Sequence, residues 1–446
     1  MRDLSQGPVG KQIFLFALPM LLGNVFQQLY NIVDTIIIGR YIGTDALAAA
    51  GASFPVIFVL VSLVIGITTG TTIIISQYYG AKDFEAVKRA IDTAFIFLFF
   101  ASIALTVLGL VFIDAIWELI GLPQELRSDA TTYFSVFAMG MMVMFGYNAT
   151  SAILRGLGDS KTPLYFLIIS TFLNIGFDLL FVVHFGWGIG SVAFATVLAQ
   201  GIAFALSVIY LNRFHELIRF SFRGLTFDRD IFRHSLRIGI PTGMQHTFVS
   251  LGMMALIAIV NPFGTNTIAA YTIAGRIDSF AALPAMNFGL ALSTFVGQNL
   301  GAGREDRVRG GLIATLWMTS LVSVTVSIVA WLFGRDLMRI FTTDAEVIEI
   351  GYSYLVIVSS FYILFSAMFV TQGLLRGAGD TLVPMFITLF SLWLLRVPVS
   401  YLLSQRIGTD GIWWGIPIAW AFGFVAAFIY YRSGRWKGKQ VTRPQK

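Results

Sequence analysis

The chain has no cysteine. Disulfides, zinc–thiolate centres and thiol nucleophiles are excluded with it. Charge is scarce: 12% of the 446 residues are Asp, Glu, Lys or Arg, where a soluble domain carries about 25%. So little polar surface does not cover a water-facing globule. There is no HExxH metal sequence, no GxxxxGK[ST] phosphate loop and no nucleophile–base pair within the apolar stretches. An enzyme is therefore not expected, nor an ATP-driven pump, nor a resident cofactor.

What is present suits lipid. Hydrophobic residues make up 57% of the chain, with 41 Phe and a mean hydropathy of +0.79. A spanning helix needs roughly 20 mainly apolar residues. Twelve windows qualify, near 12–39, 51–78, 90–117, 131–154, 162–184, 189–212, 235–260, 272–298, 311–334, 350–374, 382–404 and 411–431. The first is too long for the apolar core of a secretory leader and is read as a span. The expected fold class is an all-α integral membrane protein with twelve transmembrane helices in two pseudo-symmetric six-helix lobes. Residues 1–212 form the first lobe, 213–234 a cytoplasmic linker, 235–432 the second lobe and 433–446 a basic tail. Of the 30 Lys and Arg residues, 23 fall on the termini and alternate connections, and 5 on the opposite ones. That asymmetry puts both termini in the cytoplasm of a cell-membrane protein. It also accounts for the net charge of +6 without nucleic acid. The expected partners are small molecules and membrane lipids, and the chain is expected to act as a monomer.

The halves repeat. SQYYGA at 76–81 matches GQNLGA at 297–302, and ILRGLGD at 153–159 matches LLRGAGD at 374–380. Gln77 and Gln298 are 221 residues apart, as are Arg155 and Arg376, Pro163 and Pro384, and Gly43-Thr44 and Gly264-Thr265. Six spans return the chain to its starting side, so the repeats run parallel, with a cavity expected at the interface of the halves. The Gly-rich loops read as tight turns ending helices.

Polar residues inside the spans are the functional suspects. In the first span Gln27, Tyr30, Asn31 and Asp34 share one helical stripe. In the fifth, Asn174 and Asp178 share a face, and Thr196 and Asn148 lie in the sixth and fourth. These are oxygen donors. Converged, Asp34 and Asp178 with an amide and a hydroxyl suit Na+, with the two acids as the metal ligands. Two close carboxyls in a low dielectric suit a proton equally well. The alternative is that both acids are satisfied at helix contacts. The same offset places Ala255 and Val399 opposite them, so the acidic pair belongs to the first half. The second half instead has Arg276 and Asp278 in span 8 and Arg396 in span 11. Asp278 and Arg396 read as an interhelical ion pair, and His246 as a hydrogen-bonded packing residue. A run of methionines including Met144 offers an adaptable surface for varied apolar ligands, or simple packing.

The opening PMLLGNVFQQLYNIVDTIIIGRYIG (19–43), the duplicated loops and LNIGFD (173–178) together resemble the multidrug and toxic compound extrusion (MATE) family, in its DinF-like branch. The resemblance covers nearly the whole chain. It implies a V-shaped bundle of two lobes that exports bulky, amphipathic, often cationic drugs or toxic metabolites in exchange for H+ or Na+. It implies that Asp34, Asn174, Asp178 and Thr196 hold the cation, and that Gln27, Tyr30 and Asn148 line the substrate cavity, to which the methionine run adds Met144. Pro19 then marks the bend in the first helix. The carboxylate that the NorM-like branch carries in span 7 is not evident, since Val249 and Ser250 occupy that region. The expected mechanism is antiport by alternating access. The rival is a flippase for a lipid-linked saccharide or peptidoglycan precursor, whose pyrophosphate calls for a more cationic cavity than Arg276 and Arg396 provide.

Overall fold

The computed structural model describes residues 2–214 and 224–442; positions 215–223 of the expected linker and 443–446 of the tail lie outside them. Among the described residues there are helices and no strand. Hydrocarbon offers the backbone no hydrogen bonds, so runs rich in Val and Ile, elsewhere strand formers, close their bonds within one helix.

Three long helices open the chain: α1 Val9–Ile42, α2 Thr44–Gly80 and α3 Phe84–Val111. The third expected window overran. The chain breaks at Phe112 and turns into the short α4, Ile113–Leu119. Next come α5 Gln124–Met139 and α6 Met141–Gly156, two arms bent by 50°, then α7 Lys161–His184 and α8 Gly190–Arg213. The second half has α9 Arg229–Phe263, α10 Thr265–Gly301 and α11 Glu305–Arg339. The arms α12 Ala345–Ser359 and α13 Tyr362–Gly377 follow, bent by 49°, and α14 Leu382–Ile407 and α15 Thr409–Arg432 complete it. Ten unbroken helices and two bent pairs make twelve candidate spans by length and composition. The first bend needs its glycine: a Cβ on Gly140 would meet Val197 Cγ2 of α8 at 2.1 Å. Three stretches widen to π turns, Ile38–Ile42, Leu179–His184 and Phe390–Arg396. Such turns often mark functional sites.

The chain forms two compact units, one of Met1–Arg2 and Leu18–Ile240, the other of Asp3–Ala17 and Pro241–Lys446. The expected division at 212/213 and 234/235 is therefore displaced. Each unit is completed by the segment that opens the other half. In the first unit, Thr226 N donates to Asp92 Oδ2 at 3.3 Å, Asp228 N donates to Thr93 Oγ1 at 3.0 Å, and Arg89 pairs with Asp228 at 3.3 Å. The start of α9 then lies against α2 so closely that a Cβ on Gly70 would come 2.7 Å from Ser235 O. In the second unit the duplicated loop holds the N-terminal segment. Leu4 N donates to Gln298 Oε1 at 2.9 Å, and Arg304 Nη1 donates to Ser5 O at 2.8 Å. Both divisions fall beside a proline, Pro19 in α1 and Pro241 in α9. Proline removes a helical hydrogen bond, so these are the points where each helix can change direction.

The RGLGD and RGAGD loops are tight turns, with Gly158 at φ +84° and Gly379 at φ +90°, a region that favours glycine. In the second unit α10 and α13 cross backbone to backbone. A Cβ on Gly373 would sit 2.3 Å from Gly289 O, and one on Gly377 2.3 Å from Ser293 O. Small residues at such crossings replace the hydrophobic drive that lipid removes.

Candidate functional site

The first unit gathers four of the expected residues. Asp34 lies four residues before the π turn of α1, and Asp178 immediately precedes the π turn of α7. Asp178 and Asn174 are one turn apart on α7. They are 0% and 2% exposed, and Thr196 on α8 is 8% exposed. The two carboxyl groups are close enough to interact directly with each other. Asn174 Nδ2 donates to Thr196 Oγ1 at 3.3 Å, while that hydroxyl donates to Val192 O at 3.2 Å.

The acceptors are left over. Asp34 Oδ1, both oxygens of Asp178 and Asn174 Oδ1 are buried and receive no hydrogen bond from a described protein donor. Buried acceptors of this kind are costly unless a cation or proton meets them. No group of three or more His, Asp or Glu placed to hold a metal ion exists among the described residues. The group is therefore two carboxyls plus neutral oxygens. That set suits a hard monovalent cation or a shared proton better than a transition metal.

Tyr30 lies beside this group, with its hydroxyl against the side chains of Gln27 and Gln200. Tyr133 of α5 stands within electrostatic reach of both acids and of Tyr30. Sequence reading missed Gln200 and Tyr133. Gln200 was signalled by its place one turn after Thr196. Tyr133 was signalled by the polar triplet Thr131-Thr132-Tyr133 inside a span. Asn31 of the polar stripe is exposed and donates to Gln28 Oε1 at 3.4 Å. Asn148 donates Nδ2 to Met144 O of its own helix at 2.8 Å, and the Met144 side chain is buried. A cavity of about 770 Å³ opens elsewhere in this unit, lined by Asp129, Met139, Trp187, Phe194 and Val197 among others, and contains none of the expected residues.

The ion pair expected in the second unit does not form. Asp278 accepts instead from the hydroxyls of Tyr362 at 2.6 Å and Tyr354 at 3.4 Å. No contact within 4.0 Å joins it to Arg396. Tyrosine reaches the carboxylate from α12 and α13, which sequence spacing does not reveal. Arg276 is exposed.

Known proteins share this architecture. The chain is 35% identical to a probable multidrug resistance protein YpnP of Bacillus subtilis, over 98% of each chain. It is 31% identical to a probable multidrug resistance protein NorM of Thermotoga maritima, over 97% of this chain and 94% of that one. A solved outward-facing multidrug resistance MATE family transporter superposes with a TM-score of 0.92 over 98% of each chain, at 24% identity, which speaks for the fold. The MatE family model matches twice, over residues 19–180 and 241–402, once in each repeated half. With both halves matched and relatives aligned end to end, this multi-pass membrane chain belongs to the MATE family.

Proposed function

We propose that the protein exports amphipathic, often cationic, drug-like compounds across the cell membrane in exchange for H+ or Na+, with Asp34 and Asp178 as the exchange site. The observation that carries this reading is the buried set of carboxyl and amide oxygens without protein donors. Two ionised carboxylates so close repel by about 4 kcal/mol for charges about 4 Å apart at an effective dielectric near 20. A proton or sodium ion removes that repulsion, and its departure restores it. The pair is therefore a two-state element whose balance a cation sets. Asp34 is on the helix that carries Pro19, so neutralising it alters the helix that has a built-in point of bending. The names of the relatives, probable multidrug resistance proteins, support drugs as the cargo. Both termini are cytoplasmic on this reading, and the working unit is a monomer.

The test is dye efflux in everted membrane vesicles, with pH and sodium gradients imposed separately. Asp34→Asn is expected to lower gradient-driven efflux by at least tenfold while the protein still inserts. Efflux that stays coupled in the variant removes Asp34 from the exchange site.

A further inference from the structure

The second unit holds a polar cluster that cation exchange does not use. Its centre is Asp278 of α10, held by Tyr354 and Tyr362. Around it are three aromatic contacts, one of them Tyr271 edge-on to Tyr354 at 5.9 Å. Tyr271 stacks on Trp413 with ring centroids 5.6 Å apart and planes 3° off parallel, and Tyr354 meets Trp413 edge-on at 5.1 Å. Arg396 closes the π turn of α14 and is within electrostatic reach of Asp278, Tyr271 and Tyr354.

Two N–H donors in this cluster have no acceptor among the described residues: Arg396 Nε and Trp413 Nε1. Arg396 is 7% exposed and Trp413 is 0% exposed. A guanidinium is always charged, and burying it without a contacting anion is unfavourable. Asp278 offers no relief at contact distance, because its oxygens are taken by the tyrosines. An indole N–H is a donor only. Both leftover groups call for an acceptor, and the guanidinium calls for one with negative charge. The first unit shows the opposite pattern, acceptors without donors. These two clusters are of opposite sign.

From this we infer that the second unit carries an anion subsite built on Arg396 and Trp413, which takes either the carboxylate of a zwitterionic substrate or a free inorganic anion. The inference rests on the export reading for the first of these sources and stands without it for the second. Arg396 forms charge-assisted hydrogen bonds to the anion, and Trp413 adds a neutral one.

Rhodamine B, which has a free carboxyl group, and its ethyl ester, which has none, share one chromophore and separate the possibilities. Binding of each dye to the purified full-length protein is measured by tryptophan quenching, with chloride and inorganic phosphate titrated separately against gluconate. If the anion is the substrate's own, the acid binds at least tenfold tighter than the ester, and Arg396→Gln abolishes the difference. If it is a free ion, chloride or phosphate raises the melting temperature of the wild type and not of Arg396→Gln. Arg396→Lys keeps the charge and is expected to retain part of either effect, which guards against misfolding as the cause. Equal binding of the two dyes together with no anion dependence overturns the inference, as does either effect persisting in Arg396→Gln. Efflux of the ester dye in vesicles is the separate check on export. Its retention by a wild type lacking both effects sinks the anion subsite alone, and its absence sinks the export reading.

Discussion

Asn174 gives its amide N–H to Thr196 and keeps its Oδ1 without a donor, beside Asp178 on the same helical face. This arrangement supplies a neutral oxygen next to the paired acids and fixes its amide through a hydroxyl on the neighbouring helix. Thr196→Val keeps the shape and removes the hydroxyl. One hydrogen bond contributes about 1 kcal/mol, so the apparent affinity for the coupling cation is expected to fall about fivefold in titrations of dye efflux against pH or sodium. An unchanged titration would separate Thr196 from the cation. The carboxyl pair carries a sign prediction. At alkaline pH without sodium both acids tend to ionise and repel, and this repulsion weakens the folded state. Asp178→Asn removes it, so under those conditions the variant is expected to melt a few degrees above the wild type. At acidic pH the advantage should shrink, because a proton already relieves the pair. A melting curve at the two pH values measures it.

Among the helices, approach distance decides what each position tolerates. The α10–α13 crossing leaves no room for a side chain on Gly373, whose added Cβ would reach Gly289 O at 2.3 Å. Gly373→Val is expected to destabilise the detergent-purified protein by about 2 kcal/mol or more, through overpacking against backbone that has no alternative rotamer. Gly275 lies in the same α10, where nothing is within 4 Å of an added Cβ. Gly275→Ala is expected to be neutral or slightly stabilising, since Gly within a helix costs up to about 1 kcal/mol relative to Ala. Equal melting temperatures for the two variants would show that the crossing is looser than it is drawn. The three π turns belong to this scale as well. One follows Asp34 by four residues, one starts directly after Asp178, and one ends on Arg396. Each widens the helix by a residue per turn and re-aims the side chains beside it.

For the molecule as a whole, the lack of cysteine is an experimental advantage, since any single introduced cysteine reports without background. Glu85 in the first turn of α3 and Gln124 at the start of α5 are both exposed, and one span separates them. On the proposed topology, with both termini in the cytoplasm, Glu85 faces the cytoplasm. A membrane-impermeant maleimide is expected to label Glu85→Cys only in everted vesicles and Gln124→Cys only in right-side-out ones. Labelling of both from one side would contradict the assigned topology. The prolines at the unit divisions act at this scale too. The helix α1 contributes Ala17 to one unit and Leu18 to the other, and α9 contributes Ile240 and Pro241 in the same way.

Composition by itself determined that the chain lives in lipid, because too little charge was available to face water. Run lengths determined twelve spans, and the constant offset of 221 determined two parallel halves. Helical periodicity put Asn174 and Asp178 on one face, because that spacing is local to a single helix. Only the tertiary structure decided that Asp34 comes within reach of Asp178, that Tyr133 and Gln200 stand beside the group, and that Asp278 is held by tyrosines and not by Arg396. It also decided that the units divide inside α1 and α9 and not in the loop between the halves. The reason is the range of the forces. A helix forms from hydrogen bonds four residues apart, which a sequence displays directly. Which faces meet depends on where glycines let backbones touch and on buried polar groups finding partners hundreds of residues away.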